Sequence, residues 1–123
     1  MTPLTEPILF LATAHPELSR KFYEDVLRLA FVADEPYALV FETGGRTLRI
    51  QKMEAIQNVH YTVLGWSVPD IAEAVQDLAQ RGVEFVRYER IEQDEAGVWT
   101  SPSGAKIAWF SDPDGHTLSL TQY

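Results

Sequence analysis

Gly45-Arg46-Thr47-Leu48-Arg49-Ile50-Gln51 returns seventy residues later as Gly115-His116-Thr117-Leu118-Ser119-Leu120-Thr121. Glycine, a long polar residue, threonine and leucine recur in order, and an apolar/polar alternation continues in both copies. Upstream, Ile8 to His15 parallels Val63 to Asp70 at an offset of fifty-five, each stretch followed by a helix-like run and then by Phe31-Val32 or Phe85-Val86. About fifteen extra residues between helix and last strand lengthen the second copy. Repetition of this size makes the chain two versions of one supersecondary unit.

Working outward, Ile8 to Ala12 is a strand candidate and His15-Pro16-Glu17 a helix start, with proline in the first turn and an acid near the positive end of the helix dipole. Leu18, Phe22, Tyr23, Val26 and Leu27 form an apolar stripe at helical spacing. Tyr37–Thr43 and Arg46–Lys52 read as strands joined by a Gly44-Gly45 hairpin turn. In the second copy Tyr61–Val68 is strand-like, Pro69-Asp70 opens a helix with Ile71, Ala74, Val75, Leu78 and Ala79 on one face, and Gly82 suits its end. Val83–Arg87, Val98–Ser101 and Ala105–Phe110 are strand candidates, Glu89–Gly97 is a charged loop, and Asp112-Pro113-Asp114-Gly115 is a turn. The pattern predicts an α+β fold, two tandem βαβββ modules at about 8–52 and 61–122 with a connector at 53–60, within a single domain spanning 1–123.

Composition narrows the function. Ten basic against eighteen acidic residues give a formal charge of −8. A nucleic-acid surface needs clustered cations, so nucleic acid is not an expected partner; the acidic field favours neutral or cationic small ligands. The chain has no cysteine, which removes thiolate metal ligands and thiol nucleophiles. No apolar run reaches the ~18–20 residues that span a bilayer, and no basic-then-apolar leader is evident. A cytoplasmic location without a membrane partner is the expectation.

The duplicated βαβββ unit, Phe22-Tyr23 on the first helix and Phe110-Ser111-Asp112-Pro113-Asp114-Gly115 near the end resemble the vicinal-oxygen-chelate superfamily, which includes glyoxalase I, extradiol dioxygenases, fosfomycin-resistance enzymes and bleomycin-resistance proteins. The resemblance runs from Ile8 to Gln122. It implies curled mixed sheets around a ligand cleft with helices outside, and a homodimer. Arg28 stands where the family usually has glycine, so a positive φ there would cost about 1–2 kcal/mol.

In the enzymes of that superfamily a divalent ion is held by His, Gln or Glu from the first and last strand of each half. The equivalent positions here read Ile8, Arg49, Val63 and Ser119. Two are aliphatic, one is a fixed cation and one is a poor neutral donor, so neither a metal nor another cofactor is expected. The histidines have blander readings: His15 a helix cap, His60 a surface residue, His116 a turn residue.

Alternation from those four positions turns Phe10, Gln51, Tyr61, Gly65 and Thr117 inward with them, and Leu9, Leu11, Leu48, Ile50, Leu64, Trp66, Leu118 and Leu120 outward under the helices. The candidate ligand-binding residues are therefore Phe10, Arg49, Gln51, Tyr61, Trp99, Trp109, Thr117 and Ser119. Arg49 either meets a ligand anion or pairs internally, with Glu42 as the neighbouring acid. Trp99 and Trp109 are cleft walls, dimer anchors or core. The resemblance and the missing ligands together predict metal-independent binding of a small organic molecule, in the cleft or at a dimer interface, and lean away from an enzyme because no general base falls among the inward positions except Glu42. The alternative is a lyase, isomerase or dioxygenase of the superfamily with an unusual site.

Overall fold

Buried and exposed side chains alternate along Arg46–Lys52 because a pleated strand turns successive residues to opposite faces. In the computed structural model, which describes residues 2–123, this segment is an interior strand of a four-stranded sheet. The chain divides into two compact units, Met1–Gln57 and Asn58–Tyr123.

The first unit contains β1 (Leu9–Thr13), α1 (Pro16–Lys21) running into a π-helical turn (Phe22–Val26), β2 (Ala30–Asp34), β3 (Ala38–Thr43) and β4 (Arg46–Lys52), with sheet order β1-β4-β3-β2. The second contains β5 (Thr62–Ser67), α2 (Ile71–Gln80), β6 (Trp99–Thr100), β7 (Lys106–Ser111) and β8 (Thr117–Gln122), ordered β5-β8-β7-β6. In each, the first strand lies parallel to the last and the remaining pairs are antiparallel. Each unit is thus a βαβββ module with a mixed sheet, and the α+β class follows. Gly44 and Gly45, at φ 57° and 76°, make the tight β3–β4 hairpin that two positive-φ residues permit.

The face set under the helices is apolar: Leu48, Ile50, Leu118, Leu120 and Leu11 are buried, and Trp66 is half-buried. In the first unit Tyr23, fully buried, packs against Phe41 of β3 at 5.9 Å between ring centroids, and Phe41 meets Phe31 edge-on at 5.5 Å. Arg20 lies over the Phe31 ring at 3.8 Å. In the second, α2 packs on β7 and β8 with Ile71, Val75 and Leu78 buried. Asp70 caps α2 by accepting a hydrogen bond from the Glu73 N–H at 3.1 Å. Ala74 and Ala79 lie less deep than the periodic reading placed them.

The first helix departs from its expected stripe. Ser19 and Tyr23, four residues apart, are its buried line, whereas Leu18 is 57% exposed because one residue rotates the helix by about 100°. Among the described residues the Ser19 hydroxyl has no hydrogen-bond partner. His15 occupies the N-cap position without a side-chain cap bond; its own N–H is taken by the Thr13 hydroxyl at 3.0 Å. The π-helical turn, closed by the Leu27 N–H donating to the Phe22 carbonyl at 3.0 Å, delivers the chain into Arg28 at φ 58°. Arg28 adopts the left-handed conformation, and Arg28→Gly should raise the unfolding free energy by about 1 kcal/mol, the relieved strain being offset partly by glycine's larger unfolded-state entropy. Urea unfolding should show a higher midpoint at unchanged slope.

Val83–Arg87, expected as a strand, is irregular. Only the Val86 N–H reaches a strand, donating to the Trp109 carbonyl at 2.8 Å. Other bonds hold the segment: the Val83 N–H donates to the Leu78 carbonyl, Gln93 donates to the carbonyls of Val86 and Gly97 and accepts from the Tyr88 N–H, and Arg87 donates to the carbonyls of Asp94 and Glu95. β6 is accordingly two residues long, shorter than the Val98–Ser101 expected, since Ser101 already turns back to Ala105. Among the described residues no helix is long and apolar enough to cross a membrane.

Candidate functional site

Trp109 sits opposite Ser119 in the β7–β8 register, and Trp99 sits opposite Ile107, two residues from Trp109 on β7. Period-two alternation therefore sends both indoles to one face of the second sheet. Their centroids are 6.0 Å apart and their planes 33° from parallel. Tyr88, on the irregular loop, meets Trp109 edge-on at 5.3 Å and 86°. The Trp109 Nε1–H donates to the Thr62 hydroxyl at 3.1 Å, which fixes the indole's orientation.

These rings border an open cavity of about 690 Å³ in the second unit, within the range of small-molecule sites. Its lining is Trp99, Trp109, Tyr88, Tyr61 and Ile91, with Thr62 and Thr117 as hydroxyls and His60, Arg87, Glu89 and Arg90 as polar or charged groups. The loop carrying Tyr88 is held by the Gln93 and Arg87 bonds to backbone described above, so those groups meet as a stitched structure.

Of the eight residues singled out from the sequence, Tyr61, Trp99, Trp109 and Thr117 are brought together at this cavity. Ser119 is not: it is buried beside Gly65, where a Cβ on the glycine would lie 2.4 Å from the Ser119 Oγ. Phe10, Arg49 and Gln51 belong to the first unit, where Phe10 pairs with Arg49 in the β1–β4 register and Gln51 with Ala12. Phe10 is 55% exposed and Gln51 is exposed. Arg49 is ion-paired with Glu35 at 3.0 Å, and its internal partner is Glu35 in place of Glu42. The register explains the exchange, since Val40 stands opposite Arg49 and Glu42 opposite Thr47.

Strict alternation also misassigned one hydroxyl. β5 shifts register between Thr62 and Leu64, so that Thr62 pairs with Thr117 while Gly65 pairs with Ser119. Thr62 thereby joins the Trp109 face, a placement that alternation back from Gly65 had given to Val63 and Tyr61. Tyr61, 68% exposed, reaches the cavity from its rim. The residues missed outright, Arg87, Tyr88, Glu89, Arg90 and Ile91, lie in the segment read as a strand end and charged loop. The available signal was Arg87-Tyr88-Glu89-Arg90 itself, an aromatic next to one cation and two residues from another.

The four positions at which the resemblance implies metal ligands do not make a donor set for a divalent ion. Ile8 and Val63 have no donor atom, the Arg49 guanidinium is a cation bound to Glu35, and Ser119 offers one buried neutral hydroxyl. Among the described residues no three His, Cys, Asp or Glu side chains are grouped to hold an ion.

A family model described as the glyoxalase/bleomycin resistance protein/dioxygenase superfamily matches residues 7–120. No curated protein matches the sequence. Similar solved structures include lactoylglutathione lyase from Agrobacterium tumefaciens, with 15% identity, TM-score 0.76, 98% of this chain and 95% of that one covered. TioX from Micromonospora sp. ML1 has 16% identity and TM-score 0.69, with 96% and 98% covered. TnmS3, an antibiotic binding protein from Streptomyces sp. CB03234, has 18% identity and TM-score 0.68, with 99% and 98% covered. At these identities the likeness is one of fold.

Proposed function

This chain belongs to the glyoxalase/bleomycin resistance protein/dioxygenase superfamily, and from that premise we propose that it is a metal-independent small-molecule-binding protein whose ligand occupies the Trp99–Trp109 cavity. The observation that carries the reading is the cavity: a preformed aromatic surface, one indole fixed by a hydrogen bond, with hydroxyls and cations around it. Sites of this kind take small organic molecules by burying apolar area and orienting it with a few polar groups. The antibiotic-binding neighbour TnmS3 is a precedent for such a role on this fold. Ile8, Arg49, Val63 and Ser119 supply no metal site through which the superfamily's Lewis-acid chemistry could run.

Thermal unfolding tests this, with and without divalent metals and across a panel of aromatic compounds. A ligand of the native state at ~100 times its Kd should add about 2.7 kcal/mol of stability. An organic compound should raise the midpoint, Trp109→Ala should abolish that rise, and added Zn, Ni, Mn or Fe should leave the midpoint unchanged. Stoichiometric, stabilising metal binding would overturn the proposal and return the chain to the superfamily's enzymes.

A further inference from the structure

The cavity lining carries a charge opposite to that of the chain. The whole sequence has a formal charge of −8, yet the cavity presents two arginines, Arg87 and Arg90, against a single carboxylate, Glu89. Arg87 is anchored by the carbonyls of Asp94 and Glu95, which satisfy N–H groups without cancelling the positive charge. Arg90 is exposed and has no hydrogen bond or ion pair among the described residues. Its guanidinium keeps a full set of donors for a planar anion.

The aromatic groups set the rest of the ligand's shape. A ring sandwiched between two indoles needs centroids roughly 7–8 Å apart, twice the optimal contact distance between carbon atoms. Trp99 and Trp109, at 6.0 Å and 33°, are too close for that. A flat molecule can therefore use the pair only as a platform, stacking on an outer face, and Tyr88 stands edge-on to Trp109.

We propose that the ligand is a planar aromatic anion, its ring on the Trp99–Trp109 platform and its charged group taken by Arg90. This reverses the preference for neutral or cationic ligands that the chain's overall charge suggests, because a group held a few ångströms from an unpaired guanidinium feels that charge more than a screened, distributed field. The assignment rests on the reading of this cavity as the ligand site.

Three naphthyl probes, of which the carboxylate and the amide are isosteric, separate the two. Calorimetry with 2-naphthoate, 2-naphthamide and 2-naphthylmethylammonium should give a naphthoate Kd about tenfold below that of the amide, with the ammonium weakest. The advantage should shrink at about 0.5 M salt. Arg90→Gln should remove most of that advantage, bringing the naphthoate Kd to within about threefold of the amide's, while leaving the thermal midpoint unchanged, and Arg90→Lys should restore it in part. If the amide or the ammonium binds as tightly as naphthoate, the charge assignment fails and the binding site stands. Should none of the three bind, both fail together.

Discussion

Phe110→Ala should lower the unfolding free energy by about 3–5 kcal/mol, the range for deleting a fully buried phenylalanine. Phe110 has no exposed surface and lies opposite Leu118 in the register, also fully buried. Its ring meets Phe85 edge-to-face at 5.7 Å and 66°. The helix above it contributes Ile71, Val75 and Leu78, all buried. An alanine would leave a void that neighbours fixed in a sheet and a capped helix cannot refill. Against a total stability of about 5–15 kcal/mol for an ordinary domain, such a loss is a large share. Urea unfolding followed by circular dichroism measures it, and Phe110→Leu should recover most of the difference. A loss under ~1 kcal/mol would mean that Phe110 is not packed as described.

Gly65→Ala should cost about 1–3 kcal/mol by overpacking. The new Cβ would stand 2.4 Å from the Ser119 Oγ and 3.2 Å from the Ser119 carbonyl oxygen. Ser119 is buried on an interior strand, flanked by β5 and β7, so it cannot retreat as a unit. Rotation of the hydroxyl relieves the closer contact and leaves the carbonyl contact tight. The double variant Gly65→Ala/Ser119→Ala removes the hydroxyl, and should recover about half of the loss in the same unfolding assay. Equal losses in the single and double variants would assign the cost to the backbone contact alone. The close approach also accounts for a glycine inside a strand, where lost entropy and missing packing disfavour one.

These two positions divide between what was legible in the chain and what was not. Phe110 falls in a strand whose alternation, with Leu118 and Leu120 beside it, already marks a core. Gly65 reads as one more small residue on the inward face of its strand until Ser119 is placed against it, fifty-four residues away in sequence. The same contrast runs through the candidate site. Thr117 could be placed on the inward face because period-two alternation is local, whereas Trp99 and Trp109, open between cleft, dimer interface and core, share a face only through the β6–β7 register. Tyr88, Arg87 and Arg90 could not, since the Val83–Arg87 stretch carries strand-like residues and its departure from the sheet depends on Gln93 and Arg87 reaching backbone several residues on. Thr62 was hidden by a single register shift, which reverses the face of everything before it.

The sequence by itself determined the duplicated βαβββ order, the apolar faces under the helices, the hairpin at Gly44-Gly45 and the helix start at Pro69-Asp70, because each depends on periodicity or on the conformational needs of neighbouring residues. It also determined that the four expected metal positions are filled by side chains without a suitable donor set. Only the tertiary structure decided that Arg49 bonds Glu35, that Ser119 is enclosed beside Gly65, and that Trp99, Trp109 and Tyr88 meet at a cavity also lined by Arg87 and Arg90. Those arrangements rest on contacts between residues distant in the chain, whose geometry is set by sheet register and by loop hydrogen bonds and has no local signature.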